Sequence, residues 1–280
     1  MNLLKIIILV LSVNLFAQGK TDVSKFKTFM PDENSVKFNE AYTQNFFFGN
    51  FGIKHLINAI PVNEKGVKTI KVLSGSETMM DFSFDSNGNL TQMKVSRALS
   101  GEDITVDYVY KENLISEEIF TTSEGKKTNK FYYSGGKMNV ETSKGMLDVY
   151  TLRDKILYKT SYLDGKLVFK DRIEGKCRIT QYKQDDINKI CFSNFNYQIP
   201  FVLEEFTSLE DVKTGKVSLK KDKTIEVKKQ SDTQYSILSN QKEVYQLYLD
   251  KDLRIREFKF LGNKSEHVNP LDFTFSYTYY

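Results

Sequence analysis

Polar turn signals recur about every ten residues through the middle of this chain, a rhythm within the range expected of an antiparallel β-meander. The clearest is "FSFDSNGNL" at 82–90, where Asp85, Asn87, Gly88 and Asn89 cluster between two apolar segments. Such a cluster raises the question of a calcium loop. An EF-hand needs Gly at position six and a bidentate Glu at position twelve. Counted from Asp85, those positions hold Leu90 and Ser96. The sharp bend and the bidentate ligand are both missing, whereas Asp-Ser-Asn-Gly between strands is a strong hairpin signal.

Comparable breaks follow at Ser100-Gly101, at Lys111 to Asn113, around Gly125, Gly135 and Gly145, and near Asp154, Gly165, Gly175 and Asp185. Between them the residues alternate with period two. "ITVDYVY" puts Ile104, Val106, Tyr108 and Tyr110 on one face. "KILYKTSY" puts Ile156, Tyr158, Thr160 and Tyr162 on one face, with Lys159 and Ser161 opposite. That is the pattern of a sheet with one covered side and one wet side. The expected fold class is mainly β, an antiparallel β-meander of repeated hairpins with a short helical N-terminal region.

Two stretches depart from the strand rhythm. In "NFGIKHLINAIP", Ile53, Leu56, Ile57 and Ile60 fall on one helical face, and Pro61 ends the run. In "IPFVLEEFTSLEDVKTG", Pro200 suits a helix start, Val202, Phe206 and Leu209 share a face, and Gly215 suits a cap. "FVLEEF" also fits a strand. After residue 216 strands resume, with polar breaks near Lys221, Asp232, Asn240, Lys251 and Asn263. The organisation is therefore read as residues 1–18 signal peptide, 19–62 helical N-terminal region, 63–193 meander, 194–216 connecting segment with helical features, and 217–280 C-terminal hairpins continuing the sheet.

The signal reading rests on "MNLLKIIILVLSVNLFAQ", in which Lys5 precedes an apolar run from Ile6 to Phe16. A membrane-spanning helix needs about 20 apolar residues, and this shorter run suits a secretory signal cleaved near Ala17 or Gln18. The ending "LFAQ" resembles signal peptides of Bacteroidetes-type bacteria. Export places the protein in the periplasm or outside the cell, not spanning the membrane once the signal is removed. The net charge is +4, with both signs intermixed, so nothing suggests nucleic acid as a partner. Cys177 and Cys191 flank a segment whose polar centre reads as a turn. Opposed positions on an antiparallel pair lie within disulfide reach, so the two are expected to be bridged, the alternative being two buried free thiols. They lack the CxxC spacing of a redox or metal motif.

"FSFDSNGNL" resembles the tyrosine-aspartate repeat of RHS-type proteins, with an aromatic, an Asp, a Gly and a Leu in that order. "YLDGKLVFK" at 162–170 is similar to it and to the units of MORN-like repeats, and "YLDKDLRIREF" keeps the aromatic, Asp and Leu. The resemblance implies repeated hairpins and a binding or wrapping role.

Catalytic clusters are scarce. The only histidines are His55 and His267, and no HExxH or GxSxG motif occurs. Of the carboxylate pairs, Glu117-Glu118 point to opposite faces of a strand, Asp185-Asp186 sit in a turn, and Glu204-Glu205 suit the wet face of a helix. The C-terminal "LDFTFSYTYY" alternates aromatics as outer-membrane barrels do, but "KTIEVKK" and "LRIREFKF" carry charges that a lipid-facing strand would not tolerate. The expectation is an exported, non-catalytic binding or scaffold protein without cofactor or metal. Its candidate binding face carries Tyr108, Tyr110, Ile156, Tyr158 and Tyr162. The partner is a protein or a lipid. A lipid would imply a periplasmic carrier of lipid or lipidated protein, with Ile156, Tyr158 and Tyr162 lining a cavity. An immunity-type partner role is the third reading, resting on the MORN-like units.

Overall fold

The structure is a computed structural model that describes residues 26–41, 66–153, 156–174, 177–183, 186–192, 202–211, 216–239, 241–252, 254–262 and 272–280. The signal segment and the helix expected at 53–60 lie outside the described residues. Chain order begins with the helix α1 (Ser35–Ala41), then β1 (Val67–Ser74), β2 (Glu77–Phe84), β3 (Leu90–Val95), the single turn α2 (Arg97–Ser100), β4 (Ile104–Lys111), β5 (Leu114–Thr122) and β6 (Gly125–Ser134). It continues through β7 (Lys137–Glu141), β8 (Met146–Arg153), β9 (Ile156–Leu163), β10 (Lys166–Glu174), β11 (Cys177–Lys183) and β12 (Asp186–Phe192). The last strands are β13 (Val202–Asp211), β14 (Lys216–Ser231), β15 (Gln234–Ser239), β16 (Lys242–Leu249), β17 (Ile255–Phe260) and β18 (Phe273–Tyr279).

Each strand pairs antiparallel with the next, so the meander read from the turn rhythm is the observed architecture. The sheet also closes. β18 pairs with β1 from Val67↔Tyr279 to Leu73↔Thr274 while β1 pairs with β2 on its other side. Closure removes the exposed edges that an open sheet must protect. The seam is reinforced by a 2.7 Å hydrogen bond between the Thr69 and Thr278 hydroxyls and by Tyr280 N–H donating to the Gly66 carbonyl at 3.1 Å.

Local chemistry sets the turns. In the Asp85 turn, the Asp85 Oδ1 accepts the N–H of Asn87 at 2.9 Å and of Asn89 at 2.8 Å, while Oδ2 accepts Asn89 Nδ2 at 3.0 Å. Gly88 supplies the left-handed residue, with φ 88°. The cluster is a hairpin turn whose Asp side chain caps its own loop. The turn after β16 repeats the arrangement, with Asp250 Oδ1 accepting the N–H groups of Asp252 at 2.8 Å and Arg254 at 2.9 Å. Two-residue loops with both residues at positive φ join β4 to β5 (Glu112, Asn113), β6 to β7 (Gly135, Gly136) and β9 to β10 (Asp164, Gly165). Their backbone matches the right-handed strand twist.

Period two decides what is buried. Ile70, Val72, Phe82, Met93, Val106, Tyr133, Leu247 and Phe258 belong to one apolar cluster. Phe273 and Phe275 of the final strand join them, leaving Thr274, Ser276 and Thr278 exposed on the other face. That outer face also carries exposed Lys71, Lys94 and Lys259.

Two expectations need correction. Residues 202–211 form β13, the strand alternative for "FVLEEF" and not the helix, and pair with both β12 and β14. An amphipathic helical spacing in eight or ten residues is equally a strand when ladders on both sides satisfy the backbone. The break expected near Lys221 is absent, because β14 runs unbroken from 216 to 231. Its first part pairs with β13 and its second with β15, so polar composition there does not end the strand.

The N-terminal segment is fastened to β5–β8. Tyr133 N–H donates to the Thr28 carbonyl at 3.1 Å, and Met30 N–H donates to Tyr133 O at 2.6 Å, beyond the point where the β5–β6 register ends. Phe29 meets the Tyr133 ring edge-on at 5.4 Å, and Phe38 of α1 is buried in the core. Lys27 pairs with Glu141, and Asp32 Oδ2 accepts Gly136 N–H at 2.9 Å.

The Lys27 ammonium holds the Glu141 carboxyl below its ordinary 4.5. At Asp32 burial pushes the carboxyl up, but the N–H groups of Gly136 and Asn34 and the Ser35 hydroxyl outweigh it and hold it below its ordinary 3.8. Carboxyls lowered in the folded state stabilise fully above their ordinary values, and the contribution is lost as pH falls through the lowered ones. The fastening of residues 26–41 is therefore expected to loosen on acidification below those ordinary values, seen as NMR shifts of the Met30 and Tyr133 amides while those of β1 stay in place. In the turn, Asp85→Ala is expected to cost about 1–2 kcal/mol, measured by urea unfolding, with Asp85→Asn costing less.

Candidate functional site

Among the described residues, the densest buried polar chemistry lies on the core-facing side of β8–β11. Alternation places Leu157, Lys159 and Ser161 of β9 on one face, and Leu157 joins the apolar core. Cross-strand register sets Ser161 opposite Asp148, Lys159 opposite Asp171, and Asp171 opposite Thr180. Lys159 Nζ lies 3.7 Å from Asp148 Oδ2 and 3.4 Å from Asp171 Oδ2, with side-chain exposures of 9%, 13% and 0%. Ser161 Oγ donates to Asp148 Oδ1 at 2.5 Å, and the Thr180 hydroxyl donates to Asp171 Oδ1. The Phe169 ring covers the ammonium at 4.7 Å, and Tyr182 lies 5.8 Å from Phe169.

Burying one such charge alone costs several kcal/mol. Here each of the four carboxylate oxygens faces a hydroxyl or the ammonium, and Lys159 sits between two carboxylates. The network joins four consecutive strands by side chains as well as by backbone, and sliding any one strand by a residue would turn its member to the opposite face. Its strongest chemical consequence is register. Near the turns on this rim, Leu163 and Tyr182 are exposed.

A second polar group lies on the core side of β5 and β6. Buried Glu118 accepts Asn129 Nδ2 at 2.8 Å, and Asn129 Oδ1 accepts Ser143 N–H at 3.0 Å. Tyr110 OH donates to the Leu90 carbonyl at 2.9 Å. Burial, then the charges of Asp85 and Glu118, push that hydroxyl's pKa well up, which keeps it a neutral donor.

The five residues of the expected binding face do not share a surface. Tyr108 is buried in the core and Tyr110 packs against it. Ile156, Tyr158 and Tyr162 lie together, half-buried, on the opposite, outward face of β9. Tyr158 is opposite Thr151 and Arg172, and Tyr162 is opposite Leu147 and Leu167. Lys159 and Ser161, the pair that composition marks as wet, take the covered side because Asp148 and Asp171 meet them there. Cys177 and Cys191 are register partners on β11 and β12. Glu117 and Glu118 do take opposite faces, with only Glu118 buried. Glu204 and Glu205 are consecutive residues of β13, not of a helix. His55, Asp185 and His267 lie outside the described residues. Among the described residues no group of three or more His, Cys, Asp or Glu is arranged to hold a metal ion.

Sequence reading missed Asp148 and Asp171 and left Lys159 on the wet face. The signal was Lys159, a charged residue sharing its strand face with Leu157, which becomes meaningful only once Asp148 and Asp171 of the neighbouring strands are in register. Lys159→Met is expected to destabilise by about 3–5 kcal/mol, because two carboxylates lose their counter-charge. Adding Asp148→Leu and Asp171→Leu should recover part of that loss, since no lone charge remains. Urea midpoints of the single and triple variants measure both.

Neither a known protein family nor any curated protein matches the chain, so its geometry is the ground for a functional reading.

Proposed function

We propose that the chain is an exported, non-catalytic binding or scaffold protein of the periplasm or cell exterior, and that its contact face is the outward side of β9. The observation that carries this is the grouping of Ile156, Tyr158 and Tyr162, half-buried together on that face. Exposed Arg153, Lys170 and Arg172 surround them on β8 and β10. Tyrosine and arginine are enriched where proteins bind one another, since each offers a large contact area with a polar end. The first eighteen residues supply the export signal. Exposed Lys71, Lys94 and Lys259 on the outer face suit water better than lipid, where each would cost ~2–4 kcal/mol near the midplane.

The carrier reading draws less support. An acyl chain lying along the core-facing side of β8–β10 would meet the Asp148–Lys159–Asp171 network, and Ile156, Tyr158 and Tyr162 face the other way. Native mass spectrometry of the mature protein, taken gently from its host's envelope fraction, separates the two readings. A protein partner at fixed stoichiometry is expected, and Tyr158→Ala with Tyr162→Ala should remove it while circular dichroism and melting stay close to wild type. A released mass of lipid size, unaffected by the tyrosine changes, would instead establish the carrier.

A further inference from the structure

We infer that Cys177 and Cys191 form a cross-strand disulfide that staples β11 to β12 in the exported protein. The inference rests on export for its oxidising compartment and on backbone register for its geometry. From Cys177↔Cys191 to Gln181↔Ile187 the pairing runs without a shift, the irregularity coming only after Gln181. Directly opposed residues of a regular antiparallel pair have Cα atoms about 4.5 or 5.5 Å apart, depending on the hydrogen-bonding position. Both spacings fall inside the ~4.4–6.8 Å that a disulfide spans without backbone movement.

Position gives the bond its purpose. Cys177 is the first residue of β11, and Cys191 is the last but one of β12. The pairing of the two strands ends at the other end, where Lys183 is opposite Asp186. A Cys177–Cys191 bond ties the two strands at the end far from the Lys183–Asp186 pair. The two cysteines are opposite Glu174 of β10 and Glu204 of β13. The staple thus lies inside a row running across four strands, and fixing it restrains the neighbouring ladders too.

In forming the bond, both S–H bonds break and one S–S bond forms. The two electrons and two protons pass to a disulfide oxidant of the export compartment, which is reduced to its dithiol.

The deciding measurement is the intact mass of protein recovered from its host, followed by non-reducing peptide mapping. A chain that has lost its first residues, is lighter by two hydrogens, and yields a peptide joining 177 to 191 supports the staple. Reductant, or Cys177→Ser with Cys191→Ser, should then lower the melting temperature by about 6–12 °C, and the double variant should no longer respond to reductant. A processed chain that takes up alkylating reagent at both cysteines overturns the staple and leaves export standing. An unprocessed chain in the cytosol overturns export. In that case oxidised glutathione added to the folded, reduced protein decides the geometry: rapid closure of the 177–191 bridge supports it, and mixed glutathione adducts without closure overturn it.

Discussion

The pairing of β18 with β1 is the constraint on which the rest depends. Every other ladder joins strands that follow one another in the chain, and a run of such hairpins is an open ribbon with two bare edges. Closing it gives each strand two neighbours among the described elements. It also fixes inside and outside, because β18 carries Phe273 and Phe275 on one side and Thr274 and Ser276 on the other. Once those two phenylalanines are placed in the core, alternation and register propagate the choice to β1 and onward.

Polar contacts then refine what hydrophobic patterning begins. The core takes in Leu157 of β9 and, two residues on, a lysine. That is tolerable because two strands deliver aspartates at the height of Lys159, and two more residues deliver hydroxyls. The arrangement makes the register of β8–β11 depend on charge as well as on apolar area. It also fills with ion pairs a position that a greasy binding cavity would need empty, which shifts attention to the tyrosines of the opposite face.

Much of this fold was legible in the sequence because turns write themselves locally. Gly88, Gly135-Gly136 and Asp164-Gly165 need backbone conformations that few other residues adopt, and Asp85 satisfies its own loop. Alternation in "ITVDYVY" correctly grouped Ile104, Val106, Tyr108 and Tyr110, yet their shared face is core and offers no surface. Period two says which residues go together and leaves open which side is covered. For "KILYKTSY" the answer lay in Asp148 and Asp171, on other strands. β13 and β14 misled for a related reason: a short run such as "FVLEEF" and a charged run such as "KKDK" take their conformation from ladders on either flank.

The seam has a temporal meaning as well. Its hydroxyl pair joins residues 209 positions apart, whereas each hairpin can form as soon as its own turn exists. Contacts between distant parts of a chain are slow to form and are left to the end of folding. A chain emerging from its N-terminus can build most of its ladders early and still present β1 as a sticky edge until the last residues arrive. Loss of even the final strand would then do more than shorten the sheet. It would bare β1 and β17 together, turning a self-contained ring into a template for pairing with other copies.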